Sequence, residues 1–121
     1  MRNNLSFINV YEKKNIKSKV VTQILYGDTF KIIKRYSNWL KIKNNYDNYR
    51  GFIRKKKFFL DEKSTHKVSS LYARIYLKPR KQNEIRTKLS FGSKVKITDK
   101  KNNFYKFDNF WIKKKDLKKI N

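Results

Sequence analysis

The sequence predicts an all-β protein made of two consecutive small, five-stranded barrels. Three observations predict it. The chain repeats itself at a fixed offset of 65 residues. Inside each copy, apolar residues alternate with lysines at a period of two, the period of a strand. Turn-forming Gly, Asn and Asp separate these runs at short intervals.

The repeat sets the domain plan. Val10-Tyr11 falls on Ile75-Tyr76, and the stretch Thr22 to Gly27 falls on Thr87 to Gly92. Phe30-Lys31-Ile32 falls on Val95-Lys96-Ile97, and Asn38 to Ile42 falls on Asn103 to Phe107. Beyond Ile42 the offset becomes 59, with Gly51 to Arg54 on Phe110 to Lys113 and Phe58 on Leu117. The first copy therefore holds six extra residues between Asn44 and Tyr49, a length change that a hairpin tip tolerates. The expected organisation is a first barrel over 1–60, a linker over 61–69 and a second barrel over 70–121.

The elements follow in order. A first strand ends at Val10-Tyr11, and after a loop a second runs from Val20 to Ile24 into the turn Tyr26-Gly27-Asp28. Lys31 to Lys34 and Leu40 to Lys43 form a hairpin across Ser37-Asn38, and Gly51-Phe52-Ile53 closes the copy. In the second copy the turns are Phe91-Gly92-Ser93 and Asp99 to Asn103, and Pro79 marks a loop after Tyr76. Val, Ile, Thr and aromatic residues dominate the strand runs, as pleated, half-buried positions favour. The tails Lys55 to Phe58 and Lys114 to Leu117 read as short helical turns.

Composition excludes several function classes. Of 121 residues, 33 are Lys or Arg and 9 are Asp or Glu, for a formal charge of +24. Aromatic residues reach 16%, too many for a disordered chain and enough for a small core. With no cysteine there is no disulfide, thiolate metal site or thiol nucleophile, and one histidine cannot build a metal cluster. No cofactor is expected, no apolar run is long enough to span a membrane, and no leader-type apolar segment opens the chain. That last feature leans towards a cytoplasmic location. The acids lack the paired spacing of glycoside hydrolases, and the three scattered glycines make no phosphate loop.

Two causes fit the charge. Lysines number 26 against 7 arginines, and Lys, Asn and Ile together make up 51 residues, all with A/T-rich codons. Genome composition thus accounts for much of it. Selected binding of a polyanion is the other cause, although a reader of phosphates and guanines would carry more Arg.

The run of residues from Val10-Tyr11 through Tyr26-Gly27-Asp28, Trp39-Leu40-Lys41-Ile42 and Gly51-Phe52-Ile53 resembles a bacterial SH3-like domain. The second copy is similar but has Asp108 to Phe110 where a glycine is expected before Trp111. The joining stretch Thr65 to Leu71, with Ile75-Tyr76 and Pro79, resembles the inter-barrel segment of NlpC/P60 cell-wall peptidases of the dipeptidyl-peptidase type. That resemblance implies two SH3-like barrels preceding a papain-like domain that cleaves peptidoglycan stem peptides after γ-linked D-glutamate. It also implies that the first barrel leans over the cleft and restricts access. The family's cysteine and histidines belong to the third domain, so the chain is expected to be non-enzymatic, either a piece of a longer peptidase or a free-standing binding pair.

Candidate ligand-binding residues are Tyr11, Trp39, Tyr46 and Tyr49, read either as a groove or as ordinary barrel packing and surface. The basic runs Arg54-Lys55-Lys56-Lys57 and Lys113-Lys114-Lys115 end the copies at equivalent places. They read as solvated faces or as one patch for an anionic partner. His66 is read as a linker residue bonding locally. The expected partners are peptidoglycan stem peptides or a peptidase catalytic domain, with nucleic acid as the alternative for a small basic, aromatic barrel.

Overall fold

A computed structural model describes residues 1–120, and strands dominate it, as the period-two pattern requires. The chain divides into two units, the first Met1–Asp61 and the second beginning at Glu62. No α-helix occurs among the described residues, and no helix is long and apolar enough to cross a membrane.

The first unit contains β1 (Phe7–Tyr11), β2 (Val20–Leu25), β3 (Phe30–Arg35), β4 (Trp39–Asn44) and β5 (Arg50–Arg54). They form one antiparallel sheet in the order β2-β1-β5-β4-β3, and no ladder closes it into a continuous barrel. Alternation aims one face inward: Leu40, Ile42 and Asn44 of β4 are buried, with Lys41 and Lys43 between them. Val10, Ile24, Phe30, Leu40, Ile42, Ile53 and Phe58 form the core, with Phe30 and Phe58 edge to face at 5.1 Å. Burying each such side chain contributes about 1.5–3 kcal/mol before entropy is counted.

The second unit contains β6 (His66–Val68), β7 (Tyr72–Tyr76), β8 (Glu84–Ser90), β9 (Lys94–Val95), β10 (Asp99–Lys101), β11 (Phe104–Phe107), β12 (Phe110–Lys113) and β13 (Leu117–Lys119). Its five-stranded sheet has the order β8-β7-β12-β11-β10, the same connectivity as the first unit. A second sheet places β6 between β13 and β9.

The repeat extends to individual hydrogen bonds. Gly27 N–H donates to Asn3 O at 2.8 Å, and Gly92 N–H donates to Val68 O at 3.0 Å. Lys55 N–H donates to Asn38 O at 3.0 Å, and Lys114 N–H donates to Asn103 O at 2.8 Å. Gly27 and Gly92 hold φ of 83° and 90°, a left-handed conformation that glycine adopts without a Cβ clash. The extra length of the first copy lies at the β4–β5 tip. There Asn44 N–H reaches Tyr49 O at 2.9 Å, whereas the second unit turns across Asp108-Asn109 alone.

Two local expectations change. Residues 66–68, read as linker, form β6, which pairs on both sides; Arg2 makes the equivalent bridges, to Thr29 and Phe59, in the first unit. Val68 is fully buried, so hydrophobic burial holds this strand in place. Lys55 to Phe58 is not helical, because the bridge from Arg2 to Phe59 keeps that tail extended. The corresponding tail of the second unit does turn, as a 3-10 turn over Lys114–Asp116, and another 3-10 turn, Lys81–Asn83, follows Pro79.

Candidate ligand-binding site

The face of the first unit's sheet that points away from the core is aromatic and basic at one end. Tyr11 lies opposite Phe52, Trp39 opposite Arg54, and Lys34 opposite Lys41. Because side chains alternate along a strand, these residues share the outer face while Leu40 and Ile53 point inward. Tyr11 and Trp39 meet edge to face at 5.8 Å, and the Arg54 guanidinium stands 5.3 Å from the Trp39 ring. Tyr36 lies 6.0 Å from Phe52, with the Lys14 ammonium 4.0 Å and the Lys34 ammonium 5.2 Å from its ring. Each cation rests on the negative π face of a ring.

A groove of about 230 Å³ opens beside this face, lined by Phe7, Asn9, Tyr11, Arg54 and Lys56 among others. The second unit repeats it at five equivalent positions, without counterparts of Ile8, Ile53 and Phe58. Tyr72, Arg74, Tyr76, Lys113 and Lys115 line a groove of about 260 Å³, with Asp116 added. The aromatic pair is repeated too, with Tyr76 and Phe104 edge to face at 5.1 Å and the Lys113 ammonium 5.7 Å from Tyr76.

Of the four candidate aromatic residues, the structure brings Tyr11 and Trp39 together and separates Tyr46 and Tyr49 from them. Asn44 bonds to Tyr49 at the far end of the hairpin, five residues beyond Trp39, about 17 Å along the strand. Tyr46 and Tyr49 are 79% and 56% exposed on that tip, whose shape is set by Asp47 Oδ1 accepting from Tyr49 N–H at 3.1 Å. Arg54, Lys55, Lys56 and Lys57 are all exposed, and only Arg54 and Lys56 reach the groove. Lys113, Lys114 and Lys115 lie in the second unit, where Lys113 is half-buried against Tyr76. Tyr36, Phe52, Lys14 and Lys34 were not legible as site residues. Pairing Trp39 with Arg54 across the hairpin would have placed Phe52 beside them.

His66 Nδ1 and Thr65 Oγ1 are 2.8 Å apart, and its ring meets Tyr105 edge to face at 5.7 Å. Burial, with smaller contributions from Lys100 and Lys119, lowers its pKa, so the neutral ring is favoured. Among the described residues no three His, Asp or Glu side chains gather as a metal site. The sequence has no cysteine, so thiolate chemistry is not available to it.

Residues 6–57 match the family described as bacterial SH3 domain. No curated protein matches the chain. Among solved structures, a crystal structure of an NlpC/P60 family protein from Bacillus cereus ATCC 10987 is similar, with a TM-score of 0.79 at 12% identity. The similarity covers 98% of this chain and 55% of that one, so the chain spans about half of its structural relative. Residues 6–57 are thus similar to a bacterial SH3 domain, the second unit repeats the connectivity of the first, and the chain has a fold found in an NlpC/P60 family protein.

Proposed function

We propose that the chain is a non-catalytic pair of SH3-like modules that binds peptidoglycan stem peptides and gates their access to a peptidase catalytic domain. The observation that carries this reading is the outward-facing Tyr11–Trp39 pair with Arg54 beside it. The rings offer an apolar wall, and the guanidinium offers a partner for a carboxylate. A stem peptide has both features, a peptide backbone and several carboxylates. The structural likeness to an NlpC/P60 protein supports that ligand class.

Titration with a stem tripeptide containing γ-linked D-glutamate, followed by NMR, tests the proposal. Shifts should gather at Tyr11, Trp39 and Arg54, and Trp39→Ala should weaken binding at least about tenfold, the loss of one aromatic hot spot. Absence of shifts at these residues with millimolar peptide would refute it.

The cations resting on Tyr36 and Trp39 favour a second reading, in which the same face stacks and neutralises single-stranded nucleic acid. Filter binding of an oligonucleotide at low and high salt separates the two. Strong retention at low salt that collapses at high salt supports the second reading, and no retention at low salt removes it.

A further inference from the structure

The second unit carries a further cleft, bordered by residues of both of its 3-10 turns. Its volume is about 680 Å³, within the roughly 300–1,000 Å³ range of small-ligand sites. Phe104, Leu117, Lys81, Lys113, Lys114 and Lys115 line it, and Lys113 and Lys115 also border the neighbouring groove, where the Lys113 ammonium stands 5.7 Å from the Tyr76 ring. No carboxylate is among the described residues that line it. The nearest acid in sequence, Asp116, lines the neighbouring groove instead, where its Oδ1 accepts from the Ser70 hydroxyl at 2.8 Å.

Local folding gathers these cations. Lys113 ends β12, and the 3-10 turn over Lys114–Asp116 curls the chain so that both of its lysines border the same space. Lys81 arrives from the other 3-10 turn, after Pro79. In the first unit the equivalent Lys55 to Lys57 run on without such a turn.

We propose that this cleft binds a short acidic peptide carrying at least two carboxylates and an apolar side chain. Four lysines and no acid in the lining call for more than one negative charge on the occupant, while Phe104 and Leu117 call for an apolar group beside those charges. Asn103, also in the lining, has both a donor and an acceptor to meet a peptide bond. A nucleic-acid strand would need a row of rings for successive bases, and Phe104 is the one ring in the lining.

The test uses the whole chain, labelled with ¹⁵N and titrated with acetyl-Glu-Glu-Leu amide. Amide shifts should gather at Asn103, Phe104 and Lys113 to Lys115. Lys114→Gln combined with Lys115→Gln, both exposed side chains, should keep the spectrum elsewhere and weaken binding about fivefold to tenfold. Acetyl-Gln-Gln-Leu amide should not bind. Equal binding of the glutamine peptide, shifts confined to other surfaces, or tighter occupation of the same cleft by hexathymidylate would each overturn the proposal. The readout is separate from the stem-peptide test, which moves Tyr11 and Trp39 of the first unit, so either reading can fail alone.

Discussion

Gly51 illustrates how much a missing Cβ decides. A Cβ there would stand 2.6 Å from Val10 Cγ1 and 2.7 Å from the Tyr11 carbonyl oxygen. The second neighbour is backbone and cannot rotate away. Gly51→Ala should therefore destabilise the first unit by about 1–3 kcal/mol, read from urea unfolding, with Tyr11 displaced from Trp39. The second unit carries Phe110 at the equivalent position, where its ring lies 5.9 Å from Phe107. His66 makes a different kind of prediction. Its pKa is lower folded than unfolded, so protonation favours the unfolded chain. Stability should be full above the unfolded value of 6.5 and should decline as pH falls below it towards the folded value. His66→Gln should flatten that decline in thermal melts between about pH 7 and pH 5.

At the scale of elements, the sequence was most legible where apolar residues alternated with lysine. Leu40-Lys41-Ile42 and its counterpart Tyr105-Lys106-Phe107 became β4 and β11 in the register that the offset implied. β6 was illegible for a physical reason. It has three residues and one buried apolar side chain, Val68, so no period can be read from it. The offset itself held the clue, since 65 residues before Lys67 stands Arg2, which bridges the matching strands. The candidate groove was legible only in part, because Trp39 and Tyr49 share a hairpin and sequence does not say at which end each stands. A fragment beginning at Glu62 should fold by circular dichroism and melt cooperatively. One beginning at Ser70 lacks the central strand of a three-stranded sheet and the buried Val68. It should lose at least about 2 kcal/mol of stability or fail to fold. Equal stability of the two fragments would mean that β6 contributes nothing to the unit.

For the whole molecule, charge and fold are separate matters. Among the described residues, all charged side chains except Arg2 and Asp116 are exposed or half-exposed, while most buried side chains of both units are apolar. Net charge bears on solubility and association rather than on architecture, so it pointed to partners and said nothing about strand order. The duplicated core is more informative. In the first unit Phe30 and Ile42 are buried together, and the equivalent positions of the second hold Val95 and Phe107. The large ring has changed places with the smaller side chain. Phe30→Val in the first unit should open a cavity, and Ile42→Phe should overfill the space, at about 1–3 kcal/mol each. Together they reproduce the other copy's pair. The double variant should then cost less than the sum of the singles by at least about 0.5 kcal/mol in urea unfolding, and strict additivity would mean the two positions do not share space. The halves of this chain are thus not interchangeable parts. Each fills its interior with its own arrangement of large and small side chains, so a residue borrowed from one copy should fit the other best when its companion is borrowed with it.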